Sequence, residues 1–218
     1  MSTSFANAAG KPVVVRMIHA IHENREWLSE IDGAAGDGDH GINMDKGFSM
    51  VGTVLAAEDL SMSDALKLLG RTLLEEIGGS MGPLYGTMFR RMARASADAE
   101  LIDTEIYAAM LRSALDAVTE LGGAKIGDKT MIDTLAPAAE AARAARDRGD
   151  DLPLAIEAVA SAAEEGWSST KDMMAKVGRS ARLGERSRGI LDAGATSCYL
   201  LLTAMGEAML ELCGEAGS

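Results

Sequence analysis

Three aspartates crowd one short stretch, Asp32-Gly-Ala-Ala-Gly-Asp37-Gly-Asp39-His40-Gly-Ile-Asn43-Met44. Their carboxylates repel one another unless a cation sits among them. A hard divalent ion such as Mg²⁺ takes oxygen ligands of this kind, completing its shell with water and substrate phosphates. The plain alternative is a solvated acidic turn, which Asp-Gly pairs favour on their own. His40, beside the carboxylates, either packs at a helix start or contacts a phosphate or nucleotide. A second cluster, Gly78-Gly79-Ser80-Met81-Gly82-Pro83-Leu84-Tyr85-Gly86, permits close backbone approach of a neighbouring helix or of a ligand. A third, Arg179, Arg182, Arg186 and Arg188, concentrates guanidinium groups in a loop. Such groups suit phosphate charge, including charge that develops during phosphoryl transfer; a solvated basic loop or a docking patch is the rival.

Two motif matches fail on context. Gly36-Asp-Gly38-Asp-His-Gly41 has the spacing of a dinucleotide-binding turn. That turn needs a preceding strand and an unhindered approach of pyrophosphate, whereas here a helix precedes it and two aspartates repel the anion. Gly122-Gly-Ala-Lys-Ile-Gly127-Asp128-Lys129-Thr130 approaches a P-loop, but Asp128 interrupts the Gly-Lys pair and no strand leads in. A glycine-rich turn feeding a helix can still offer N–H groups to a nucleotide. His19 and His22, three apart on the first helix, lack a third ligand for a transition metal.

The elements that must position these residues read as helices. Strand formers are scarce, and four prolines punctuate the chain. Helical segments are predicted over Pro12–Glu30, Gly41–Glu58, Ser63 to Gly78, Pro83–Ala97, Asp103 to Gly122, Thr130–Arg148, Asp151–Lys176 and Ala195–Leu212, with Pro137 near the first turns of the sixth or at a kink in it. Eight segments with short connections predict an all-α, antiparallel up-and-down bundle. No linker or repeat divides residues 1–218, so a single domain is expected. Alternate connections of such a bundle share one end. Those four are the polar, glycine-rich ones at 32–41, 78–86, 122–130 and 178–194, which places a small-residue rim around one end.

Composition narrows the partners. The chain has 218 residues, 33 acidic and 21 basic, for a net charge of −12. That sign disfavours nucleic acid and anionic membrane. No secretory leader or membrane-length apolar run is visible. Cys198 and Cys213 lie in apolar surroundings, as reduced core cysteines do. The expected compartment is the cytoplasm.

Together and in this order, the clusters resemble the nucleotide-binding L subunits of dihydroxyacetone kinases. The carriers are Asp32 with Gly36–Met44, Gly78–Gly86, Gly127-Asp128-Lys129-Thr130-Met131, Leu183-Gly184-Glu185-Arg186-Ser187 and Asp192-Ala193-Gly194-Ala195-Thr196-Ser197. The resemblance implies an eight-helix barrel with ADP or ATP at one end and two Mg²⁺ ions between protein and phosphates. By matching position, it implies Asp32, Asp37 and Asp39 as metal ligands. It implies His40, Gly41, Ile42, Asn43, Ser80, Met81, Gly122, Met131, Arg179, Asp192, Ala193 and Gly194 as the nucleotide lining, with Arg179 stabilising the transferring group. Met81 stands where relatives commonly carry Ser, so it is a contact by position only, and Ala193 stands where some carry Pro.

In that family the ketone is held on a separate K subunit through a histidine-linked hemiaminal. The resemblance therefore implies a phosphoryl-donor half-enzyme with a K-type partner, and a homodimer is a further family-based expectation. Exchangeable ATP, or bound ADP recharged by a phosphotransferase-system subunit, are both open as donor. Dihydroxyacetone is the default acceptor and erythrulose the alternative. A regulatory nucleotide-binding subunit without turnover would use the same site.

Overall fold

The computed structural model describes residues 3–216. Among these, nine α-helices carry the chain: α1 (Lys11–Glu23), α2 (Arg25–Ala35), α3 (His40–Leu55), α4 (Met62–Glu76), α5 (Met81–Ser96), α6 (Thr104–Gly122), α7 (Met131–Arg148), α8 (Leu152–Ser169) and α9 (Ala193–Glu215). Two two-residue strands, β1 (Phe5–Ala6) and β2 (Leu101–Ile102), pair antiparallel and tie the N-terminal segment down. From α3 onward each helix packs on the next, and α9 returns to α1 and α2, so the ring of helices closes. Its interior is a continuous apolar core that includes Met17, Leu28, Phe48, Leu66, Phe89, Leu111 and Met205. The all-α bundle expected from the pattern is the fold observed, closed into the barrel that the resemblance implied, with nine helices among the described residues where eight segments were expected.

Boundaries differ from the sequence reading in three places, each with a local cause. The single first helix is two. Asn24 leaves helical geometry (φ −101°, ψ 10°) and its Nδ2 donates to the Ala20 carbonyl at 2.8 Å, a side-chain bond that competes with the helix ladder. The second of these helices runs through Gly33 to Ala35, so Asp32 lies in its last turn rather than in a loop. The segment expected to reach Lys176 ends at Ser169. There Ser168, Ser169 and Thr170 hydroxyls donate back to the carbonyls of Glu165, Gly166 and Trp167.

Pro137 lies inside α7 and does not end it. A Cβ placed on Gly166 of α8 would come within 2.2 Å of the Asp133 carbonyl oxygen and 2.8 Å of Pro137 Cγ. Only glycine lets α8 approach α7 this closely. Gly166→Ala should therefore force the two helices apart at a cost of about 1–3 kcal/mol. A melting temperature lower by several degrees, with the helical circular-dichroism spectrum retained, is the expected result.

No helix among the described residues is long and apolar enough to cross a membrane. Cys198 and Cys213 are free and buried, as their surroundings suggested.

Candidate functional site

The four glycine-rich connections meet at one end of the barrel, where cross-links between them are direct. Arg179 of the α8–α9 connection is ion-paired with Asp37 of the α2–α3 turn and lies 3.8 Å from Asp39. His40 Nε2 is 2.9 Å from Ser197 Oγ of α9. The Tyr85 hydroxyl of α5 lies 3.0 Å from the Gly194 carbonyl and 2.6 Å from Ser197 Oγ, within hydrogen-bond reach of both. Lys129 of the α6–α7 connection donates to Ser187 and Ile190 carbonyls.

The carboxylates come from two kinds of backbone. Asp32 is offered by the last turn of α2, and Asp37 and Asp39 by the four-residue turn that follows. That turn folds back so tightly that a Cβ on Gly36 would sit 2.6 Å from Asp32 Oδ1, and Gly38 adopts φ +77°. One oxygen from each of the three carboxylates lies within 4.8 Å of the others. Partial burial and the neighbouring Asp37 push the Asp39 carboxyl up, with Arg179 opposing. The donor set is all hard oxygen with excess negative charge, which fits Mg²⁺. Among the described residues, no other cluster of three His, Cys, Asp or Glu side chains could share an ion. His22 instead bonds Asp45 through Nδ1 at 2.8 Å.

His40 opens α3, and its backbone N–H reaches Asp32 Oδ2 at 3.3 Å. Burial lowers its pKa and Asp32 opposes this, so the neutral imidazole is favoured. Gly41 is buried because α3 starts against α2. A Cβ there would lie 2.0 Å from the Arg25 carbonyl oxygen. Ile42 is 59% exposed and Asn43 half-buried at the same rim. Ser80 is exposed at the start of α5, while Met81 packs against the core. Gly122 closes α6, and a Cβ there would lie 3.3 Å from Leu84 Cδ2 of α5. Met131, 5% exposed, underlies Gly194.

Asp192 caps α9, accepting from the Ala195 N–H at 2.8 Å. Burial pushes its carboxyl up to about 6, with the Ala195 N–H and the Lys129 charge opposing. A folded pKa above the unfolded value of 3.8 makes this group favour the fold at low pH, and that contribution is lost as pH rises through about 6. Asp192→Asn keeps an acceptor for the cap and cannot ionise. In nucleotide-free buffer its stability relative to the parent should rise between pH 4 and pH 7.5, by at most about 3 kcal/mol. Thermal melts across that range check the sign.

Several residues escaped sequence reasoning. Tyr85, Lys129 and Ser197 fall inside the quoted motifs, but nothing local in the sequence shows that their side chains turn inward. Asp133, 3% exposed, accepts from Gly127 and Thr130 N–H groups and shapes the turn before α7. Its capping-box position three residues after Thr130 was the available signal. Three large apolar side chains exposed on or next to these connections, Leu121, Ile126 and Val177, were also missed, and they stand with the exposed Ile42 at this end.

A helical barrel that gathers three carboxylates, an arginine-bearing connection and helix N-termini at one end fits the class of phosphate-handling proteins. The comparisons place the chain within it. The DAK2 domain model matches residues 34–207. The ADP-binding subunit DhaL of the PEP-dependent dihydroxyacetone kinase of Escherichia coli (strain K12) is 41% identical over 187 residues, covering 85% of this chain and 89% of that one. The D-erythrulose kinase of Mycolicibacterium smegmatis is 36% identical over 199 residues, but the match spans 34% of that enzyme. The crystal structure of the dihydroxyacetone kinase from C. freundii in complex with AMP-PNP and Mg²⁺ shares the fold, with TM-score 0.70 and 23% identity. It is matched over 95% of this chain and 35% of that one. The chain belongs to the DAK2 domain family, in the DhaL-type branch of dihydroxyacetone kinase subunits, and its class is that of a phosphotransferase.

Proposed function

We propose that this chain is the nucleotide-binding, phosphoryl-donating subunit of a dihydroxyacetone-type kinase, acting on a ketose held by a separate K-type subunit in the cytoplasm. One observation carries the reading: three carboxylates within 4.8 Å of one another face a single arginine at the end where four glycine-rich connections meet. The identity to DhaL, whose name states ADP binding, supports the choice of nucleotide.

Asp32, Asp37 and Asp39 would hold the Mg²⁺, two ions on the family resemblance. When bound, the metal supplies charge neutralisation at the phosphates and fixes their orientation. The protein's remaining work is positioning, since phosphoryl transfer asks little covalent chemistry of it. Residues 40–43 lie at the start of α3 and Ala193–Gly194 at the start of α9, where backbone N–H groups favour anions. Ser80, Met81, Gly122 and Met131 complete the lining, Met81 through its place rather than a hydroxyl. The Arg179 guanidinium neutralises Asp37 and Asp39 in the structure and competes with a divalent cation for those oxygens. Freed from them, it turns to the phosphoryl group in transfer.

The exposed Ile42, Leu121, Ile126 and Val177 give this end apolar surface for the ketose-holding partner. Dihydroxyacetone is the first acceptor to test and erythrulose the second, in line with the D-erythrulose kinase relative. Homodimer formation is read from the resemblance alone and is checked by sedimentation.

Calorimetry with ADP tests the site. Binding in Mg²⁺ that disappears in EDTA is expected, and equal affinity in both would overturn the reading. With a K-type partner and ATP alone, sustained product identifies exchangeable ATP as donor. A halt after one turnover identifies bound ADP recharged by a phosphotransferase-system subunit.

A further inference from the structure

Lys129 is 2% exposed, a degree of burial that lysine reaches only with full pairing. Its backbone has φ +64°, the one non-glycine left-handed residue among those described. That conformation is unfavourable for a residue with a Cβ and persists where surroundings enforce it. Its ammonium donates to three carbonyl oxygens, of Met173 at 3.2 Å, Ser187 at 2.7 Å and Ile190 at 2.5 Å. Three donors on one nitrogen meet three acceptors, which uses the full donor capacity of lysine.

All three acceptors belong to the segment between α8 and α9 that carries Arg179. Met173 and Ile190 stand at its two ends, so one nitrogen draws the neck of the segment together. The Gly189 N–H helps by donating to the Lys171 carbonyl at 2.7 Å. Inside the neck, Ser187 Oγ accepts from Ala175 N–H at 2.9 Å and donates to the Gly184 carbonyl at 2.6 Å. Beyond the neck, Arg179 itself is exposed and its side chain reaches the carboxylates of Asp37 and Asp39. Burial lowers the Lys129 pKa while Asp192 at the start of α9 opposes the shift.

We infer that Lys129 is a positioning residue for phosphoryl transfer, pinning the neck of the 173–190 segment so that Arg179 is presented to the carboxylate cluster. The inference rests on the proposed role of Arg179. It assigns the lysine no contact with nucleotide. Lysine is required because an apolar side chain of equal length leaves three carbonyls without donors.

The test is a double-mutant cycle read in single turnover: phosphoryl transfer from prebound MgATP to dihydroxyacetone carried by a K-type subunit. Arg179→Ala is expected to slow transfer about 100-fold. Lys129→Met should slow it roughly 30-fold, and the pair about 100-fold rather than about 3,000-fold, because both act through one guanidinium. Hydrogen exchange in Lys129→Met should quicken within 173–190 and stay unchanged in α4 and α5. Additive losses, or exchange that quickens throughout the barrel, would overturn the pin while leaving Arg179 its role. Wild-type transfer by Arg179→Ala would remove that role and the pin with it. If Lys129→Met does not fold, Lys129→Gln, which keeps a donor, replaces it in the cycle. Loss of cooperative folding in both variants would also overturn the inference, since the lysine would then serve the whole fold.

Discussion

Asp37→Ala and Asp39→Ala should each weaken Mg²⁺-dependent ADP binding by about 100-fold or more while leaving the metal-free fold as stable as before. The two halves of this expectation come from the same electrostatics. A small divalent ion bound to nucleotide phosphates depends on a few protein carboxylates, and loss of supporting groups alone lowers metal affinity about 10–100-fold. In the absence of metal those carboxylates oppose one another, and the Asp37 charge adds to burial in holding the Asp39 carboxyl above its ordinary pKa. Removing one relieves that repulsion. It also breaks the pairing with Arg179, but both partners there are about half exposed, and exposed ion pairs contribute roughly 0–1 kcal/mol. Asp37→Asn keeps the shape and loses the charge, so it should behave as the alanine does. Calorimetry with and without Mg²⁺, beside thermal melts in EDTA, separates this from a folding defect. A parallel loss of affinity and melting temperature would contradict it.

Arg179→Ala carries the second large effect. The single-turnover rate should fall about 100-fold, as for removing one preorganised donor at developing charge. ADP affinity should change far less. Because the guanidinium competes with cations for Asp37 and Asp39, its removal should also raise Mg²⁺ affinity in nucleotide-free protein. That opposite movement is what a merely structural arginine would not produce. Arg179→Lys should recover only part of the rate, since an ammonium keeps the charge and loses the planar fork. Unchanged transfer with tighter Mg²⁺ binding would confine the residue to guarding the carboxylates.

How much of this was legible in the sequence follows from the range of the interactions. Helices announce themselves through caps and apolar spacing within a few residues, and Asp103, Thr130 and Asp151 do cap the helices that follow them, while the cap of the segment expected to start at Ser63 is Ser61. The convergence of four connections at one end followed from alternation alone. Boundaries shifted where one side chain outcompeted the ladder, as Asn24 does, or where glycine was tolerated in a last turn, as at Gly33. The carboxylate cluster was visible because its members are neighbours in the chain. The pairing of Asp37 with Arg179 joins opposite ends of the sequence, and only the closed barrel brings them together. Lys129 stands in the sequence only as part of a glycine-rich turn that fails as a P-loop. Its burial is decided by the distant 173–190 segment, whose carbonyls carry no mark in the sequence.

The central claim is that this end of the barrel holds a Mg²⁺-dependent phosphoryl donor for a ketose on another subunit. The most direct measurement loads the chain with ATP, removes free nucleotide, and mixes it with a K-type subunit carrying dihydroxyacetone. One equivalent of ketose phosphate per chain, formed in Mg²⁺ and absent in EDTA, is the predicted result. Nucleotide that stays bound in Mg²⁺ with no transfer to dihydroxyacetone or erythrulose would contradict it.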